Sequence, residues 1–231
     1  FGVPNFKSAL ESYMQISKRF GQYLQAFELI GDEGLKFLEE TNMNQSATQK
    51  VKLPWYVLME LGFNSNSVEH ELHDALDDLY NRNIILDVVL GDTESKAKKL
   101  WKIREDIPEA NRKIGAISSH DISLPLENME IFINKTLTEI NKINRSLRVN
   151  CFGHMGDGNL HFNVFPPQKE TNSSYMDLKP KLIEIINNNC KSLEGSFSAE
   201  HGVGRMKVKD LKQYCDPGKF HVMWQIKKAM D

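Results

Sequence analysis

Cysteine is scarce and badly spaced for crosslinking. The chain has 3 cysteines, Cys151, Cys190 and Cys215, an odd number with no C-x-x-C pair. That argues against a disulfide framework and a thiolate zinc site, and it suits a reducing compartment. Long apolar runs are lacking: none approaches the roughly 18 residues that a membrane span needs. No charged-apolar-small leader pattern stands at residue 1, which is Phe rather than Met, so the chain reads as a fragment or as one with a disordered start. No sign of charge dominates. The net charge of -2 gives no argument for nucleic acid or an anionic membrane as partner. Nucleotide-binding loops are missing too: no G-x-G-x-x-G follows the first strand, and no P-loop Gly-Lys-Ser/Thr occurs. Gly202-Val-Gly204 is a lone pair of glycines and a weak phosphate signal. No internal repeat is visible. What remains is 231 residues, 40% hydrophobic and 26% charged, the composition of an ordinary globular chain with room for one large domain or two small ones.

The apolar periodicity alternates between helix and strand. Helices are expected at Pro4 to Tyr23, Asp32 to Glu40, after a Ser67 cap, and from Asp92 to about Gly115, the last kinked or ended by Pro108. Further helices fit Pro125 to Ile143, Tyr175 to Leu193, a start at Lys207, and the C-terminal residues after Asp216-Pro-Gly218. Strands fit Leu24 to Ile30, Trp55 to Phe63 (buried by its apolar run), Ile84 to Leu90, His120 to Leu124, and the stretch at Ser196. Thr41 to Lys52 is polar and aperiodic, a loop. This order predicts an α+β fold: a mixed, mostly antiparallel sheet with helices on one face.

The richest stretch is Cys151-Phe-Gly-His-Met-Gly-Asp-Gly-Asn-Leu-His-Phe-Asn-Val-Phe165. Gly156-Asp-Gly158 signals a turn between two strands. On the outgoing strand His161, Asn163 and Phe165 share one face, Phe162 and Val164 the other. A hairpin can bring the imidazoles of His154 and His161 to one place, and two converging neutral imidazoles are the usual start of a metal site. The second unusual stretch, Ser196-Phe-Ser-Ala-Glu-His-Gly-Val-Gly-Arg-Met-Lys207, offers Glu200 as a hard carboxylate ligand. A His₂Glu set with an open fourth position belongs to catalytic rather than structural zinc. His201 would then stand beside the metal, free to act as a base.

Each candidate has a plainer reading. A lone histidine is more often ordinary structure than a ligand; two flanking a Gly-Asp-Gly turn, with Glu-His downstream, reverse that preference. Asp157 reads as a turn residue. Asn163 could orient a substrate oxygen or satisfy sheet backbone, with neither favoured. His70, His73 and His221 read as surface, and Cys151 as a buried core thiol. Arg104 could clamp a carboxylate bidentately, though by spacing alone a helix surface charge is favoured. Arg205 and Lys207 are anion contacts at a helix start or solubilising charge.

Gly153-His-Met-Gly-Asp-Gly-Asn-Leu-His161 and Ser198-Ala-Glu-His-Gly-Val-Gly-Arg-Met-Lys207 together resemble the two signatures of the C-terminal domain of FAD-linked oxidases. That family includes D-lactate dehydrogenases, D-2-hydroxyglutarate dehydrogenase and the glycolate oxidase flavoprotein subunit. Ala26-Phe-Glu-Leu, Trp101-x-x-Arg-Glu and His120-Asp-Ile-Ser-Leu-Pro125 stand in the family's order, so the similarity spans residues 1–231. The resemblance implies a ferredoxin-like substrate (cap) domain, its FAD held mainly by an N-terminal domain absent from this chain. It implies Zn²⁺ or another divalent metal on His154, His161 and Glu200, with His201 catalytic at the substrate hydroxyl. Arg104 would take the substrate carboxylate and Asn163 would lie close to the substrate. The implied partners are a small 2-hydroxy acid and an electron acceptor, without nucleic acid or membrane span, with a homodimer allowed. The location would be cytoplasmic, or the mitochondrial matrix in a eukaryote. Two positions depart from the pattern: Pro108 stands where many members have Thr, and Ser119 where many have Lys. Both family residues help bind the acid group, so their loss bears on 2-hydroxyglutarate in particular. The alternatives are a stand-alone metal-binding or interaction module without turnover and, more remotely, a zinc hydrolase.

Overall fold

The computed structural model describes residues 1–43 and 52–231. Of the loop expected at 41–52, residues 44–51 lie outside the described residues. In chain order the elements are β1 (Gly2–Val3), α1 (Phe6–Phe20), β2 (Leu24–Gly31), α2 (Asp32–Glu40), β3 (Trp55–Leu61), α3 (Asn66–Asn81), α4 (Glu94–Ile114) and β4 (Ser118–Ser123). There follow α5 (Leu126–Ile143), β5 (Arg148–His154), β6 (Asn159–Phe165), α6 (Lys179–Ser192), α7 (Val208–Tyr214) and α8 (Pro217–Met230). Short 3₁₀ turns span Met155–Asp157 and Asn172–Leu178.

Local chemistry explains several boundaries. The Asn5 side chain accepts a hydrogen bond from Ser8 N at 2.9 Å and starts α1, a cap worth about 1 kcal/mol. Phe6, Ala9, Ile16 and Phe20 then fall on one buried face. Asp216 caps α8 through Lys219 N, with Pro217 at its first position. Gly158 ends the turn between β5 and β6 at φ +69°, and a Cβ there would lie 2.3 Å from Leu124 O. Only glycine fits that backbone without displacing the chain.

One sheet holds six strands in the order β1-β3-β2-β5-β6-β4, and every ladder is antiparallel among the described residues. Strand alternation gives it two apolar faces. Leu29, Val57, Cys151, Phe162 and Val164 point into a core covered by α1, α3, α5 and α6. Ile30, Tyr56, Phe152 and Phe165 point the other way, against Phe37 and Leu38 of α2 and Ile107 and Ala110 of α4. Edge-to-face ring pairs hold each side, Phe132 with Phe162 at 5.4 Å and Phe37 with Phe165 at 4.6 Å.

The α+β class is therefore as expected, and the sheet, expected to be mixed and mostly antiparallel, has only antiparallel ladders among the described residues. Helices on one face are not: they cover both, because β2, β3, β5 and β6 each carry apolar residues at both parities. Ile84 to Leu90 is not a strand. It touches the sheet through one bridge, Gly2 to Asp87, because β1 is two residues long and offers no more backbone. Ser196 likewise makes one bridge, to Ser123. The strand expected at Trp55 is half-buried rather than buried. Helix α3 starts after Ser65, with Ser67 already inside it. Pro108 neither ends nor splits α4, which runs unbroken from Glu94 to Ile114 with Pro108 on its exposed side.

Candidate metal and substrate site

The cluster lies on the face covered by α2 and α4. Register places it. Glu28 of β2 is opposite His154 of β5, and His161 of β6 sits between Phe152 of β5 and Asp121 of β4. Side chains directly opposite in antiparallel strands have Cβ atoms about 5 Å apart, so these residues form two adjacent cross-strand rows, Glu28–His154 and Phe152–His161–Asp121. The hairpin that joins the rows needs its glycines: at Gly153 a Cβ would approach Asn159 O to 2.5 Å.

Metal-ligating atoms of His154, His161 and Glu200 all lie within 4.8 Å of one another, the one such group among the described residues. His154 Nε2 is 3.4 Å from Glu200 Oε1, and its other nitrogen, Nδ1, is 2.6 Å from Glu28 Oε1. The ring is thus turned so that one nitrogen is held from behind and the other faces the cluster. His161 stacks on His201 with ring centroids 5.6 Å apart. Burial, then the Arg104 charge, push the His161 imidazole down to about 4. At neutral pH its ring is uncharged, the form that ligates a metal. Two nitrogens and one carboxylate oxygen, with Glu200 and His201 open to solvent, fit a divalent ion with a coordination position left over.

Glu200 and His201 stand in a stretch with no helix or strand, and one side chain holds it. Asp121 Oδ2 accepts the backbone N–H groups of both Glu200 and His201, each at 2.8 Å. Asp121 Oδ1 accepts from Asn159 Nδ2 at 2.8 Å, and the backbone Asp121 O accepts from Ala199 N at 3.2 Å. Burial alone would raise the Asp121 pKa. The N–H donors of His201, Glu200 and Asn159 outweigh it and hold the carboxyl below the usual aspartate range. Lys207 Nζ closes the far end of the same stretch by donating to Phe197 O and Ser198 Oγ. Lys207, expected as an anion contact or a solubilising charge, instead tethers this stretch.

Arg104 is not a surface charge. It lies on the buried stripe of α4 with Ile107, Ala110 and Asn111. Its guanidinium sits 4.7 Å over the Phe152 ring, and its Nε donates to Glu28 Oε2 at 2.9 Å. The two terminal nitrogens make no hydrogen bond among the described residues, so one edge of the guanidinium is free. Burial pulls the Arg104 pKa down; the attraction of Glu28, and beyond it Glu200, opposes this. Asn163 is buried and its Oδ1 accepts from His120 N at 3.2 Å. Asp157 is exposed in the turn, and His70, His73 and His221 are exposed on helices. Cys151 is buried in the core, where desolvation raises its thiol pKa.

Two contributors escaped the sequence reading: Glu28 and the Asp121 carboxylate. Glu28 left a signal, a lone carboxylate in the middle of Leu24-Gln-Ala-Phe-Glu-Leu-Ile30. A charge inside an apolar strand is too costly to bury without a partner. Asp121 left none, since its partners are backbone groups nearly eighty residues away.

A family model described as FAD linked oxidases, C-terminal domain, matches residues 1–231. Among curated proteins, a Schizosaccharomyces pombe protein provisionally named as a mitochondrial D-lactate dehydrogenase is 31% identical over 100% of this chain and 45% of its own length. Mitochondrial D-2-hydroxyglutarate dehydrogenases of Bos taurus and Danio rerio are 31% and 28% identical, again over 100% of this chain, and over 41% and 42% of their own lengths. The chain therefore spans less than half the length of these relatives.

Proposed function

Because the chain belongs to the family of FAD-linked oxidase C-terminal domains, we propose that it is the substrate-side domain of a flavin-dependent dehydrogenase that oxidises a D-2-hydroxy acid to the 2-oxo acid. Residues 1–231 form this one cap domain, and FAD is held mainly by a domain outside them. The observation that carries the reading is the convergence of His154, His161 and Glu200 ligand atoms within 4.8 Å, drawn from the β5–β6 hairpin and a separate stretch of chain. These three residues would hold a divalent ion, for which two nitrogens and one oxygen suit zinc, with manganese and iron the next fits. When bound, the metal supplies a Lewis acid that acidifies a hydroxyl, and the flavin supplies the two-electron acceptor.

The residues of this chain do the rest. Arg104 turns its free guanidinium edge to the substrate carboxylate and fixes the acid's orientation. His201, exposed on a loop whose backbone is pinned by Asp121, takes the proton of the substrate hydroxyl. Asn163 borders the substrate beside Ser119, its strand partner. Ser119 is short and uncharged, and Pro108 carries no hydroxyl. Neither offers a positive charge to a second carboxylate, which favours a monocarboxylate such as D-lactate over 2-hydroxyglutarate. The mitochondrial relatives suggest the matrix as the place of action in a eukaryote.

The test is metal content of the purified protein by mass spectrometry, alongside His154→Ala and Glu200→Ala. About one zinc per chain, lost in both variants, is the expected result. Metal retained unchanged in both would refute the site.

A further inference from the structure

Glu28 is a carboxylate only 4% exposed, on a strand in the interior of the sheet, between Phe27 and Leu29 of the main core. An apolar residue there would pack beside Ile30 without the cost of burying a charge, and a buried carboxylate is tolerated only when its lone pairs are met. Glu28 meets them with two partners from different elements. Oε2 takes Arg104 Nε of α4 at 2.9 Å, and Oε1 takes His154 Nδ1 of β5 at 2.6 Å. His154 Nε2 then faces Glu200 at 3.4 Å. A carboxylate accepting from one nitrogen of a neutral imidazole requires the proton on that nitrogen and leaves a lone pair on the other. We propose that Glu28 is a positioning residue of the metal site: anchored by Arg104, it holds His154 as the Nδ1–H tautomer with Nε2 presented to the ion. Among the described residues Arg104 in turn hydrogen-bonds through its Nε alone, which keeps its terminal nitrogens clear. One buried carboxylate thus orients both a metal ligand and the carboxylate clamp. This inference rests on the metal site proposed above.

The experiment has two arms. In the first, zinc affinity of the purified protein is measured by competition with a chromogenic chelator, for wild type, Glu28→Gln and His154→Ala. Arg104 and His154 meet different oxygens of Glu28, and in a glutamine one of those positions becomes an NH₂ group, which cannot accept from the partner it faces. Glu28→Gln is expected to weaken zinc binding 10–100-fold, the effect of removing an outer-shell partner of a ligating histidine. His154→Ala is expected to abolish it. In the second arm, ¹⁵N-histidine spectra of the metal-free wild type, with His154 assigned from the His154→Ala spectrum, report the tautomer directly. A merely structural Glu28 would leave no preference at that ring. The expected signature is Nδ1–H. Zinc lost in His154→Ala but bound within twofold of wild type in Glu28→Gln overturns the role of Glu28 alone, as does a proton on Nε2. Zinc bound normally by His154→Ala overturns the metal site and this inference with it. Should Glu28→Gln fail to fold, the tautomer in the wild type decides.

Discussion

Replacing Asp121 by asparagine tests how the loop at Ser198–Gly204 is kept in place. Its carboxylate accepts three hydrogen bonds at 2.8 Å: the N–H groups of Glu200 and His201 on one oxygen, and the Asn159 amide on the other. Asparagine has a single acceptor oxygen. If that oxygen faces the loop, an NH₂ group opposes the Asn159 NH₂; if it faces Asn159, two loop N–H groups lose their acceptor. A hydrogen bond to a charged group is worth about 1.5–3 kcal/mol, against about 1 kcal/mol for a neutral one. The variant should therefore lose about 2–3 kcal/mol, most of it from the loop. At about 1.4 kcal/mol per decade, that is a rise of about 30–150-fold in local opening. Hydrogen exchange read by mass spectrometry on peptides covering 197–204 should show it, with amides of β5 and β6 still protected. The acid dependence has a defined sign. The folded pKa of Asp121 lies below its unfolded value near 3.9, so its stabilisation is complete above that value and is lost only as pH falls through the lower folded one. Wild-type loop protection should persist at pH 4. Unchanged exchange at Glu200 and His201 in a folded Asp121→Asn protein would refute the reasoning, as would a loss spread evenly over the sheet.

Gly158→Ala forces an L-residue to φ +69° and its Cβ to 2.3 Å from Leu124 O, so urea unfolding should report a loss of about 2–4 kcal/mol; an unaffected midpoint would mean that the hairpin turn can relax. In the metal-free protein, burial pushes His120 to about 3, with Lys207 and Lys179 adding to it, and His161 to about 4. As pH drops through 6.5 the unfolded chain takes up protons first, so the urea midpoint should fall steadily from pH 7 toward 4. His120→Leu, which removes a buried nitrogen without a hydrogen-bond partner among the described residues, should flatten part of that slope.

The elements that announced themselves are those whose chemistry is local. The β5–β6 hairpin was legible because Gly156-Asp-Gly158 supplies the turn and the alternation of His161, Phe162, Asn163 and Val164 supplies the faces. Helix α5 was legible from Met129, Phe132, Ile133 and Ile140. Ile84 to Leu90 misled, because an apolar run looks alike whether it pairs along its length or rests on the sheet through one bridge. Arg104 misled for a different reason. Its spacing to Ile107 and Ala110 marks the buried stripe of α4, but a charge on such a stripe is plausible only once its counter-ion is known, and Glu28 lies 76 residues away.

The division between sequence and structure follows range. Sequence alone determined the residue types of the site, the hairpin that pairs two histidines, and the separate Glu-His stretch, since each depends on neighbours within about ten positions. Tertiary structure decided that Glu200 comes to His154 and His161, that Asp121 holds it there, and that Glu28 stands behind His154. It also decided that both faces of the sheet are covered. Those arrangements arise from strand register and order, which bring together residues far apart in the chain. Closing such long loops leaves no periodic mark on the residues between.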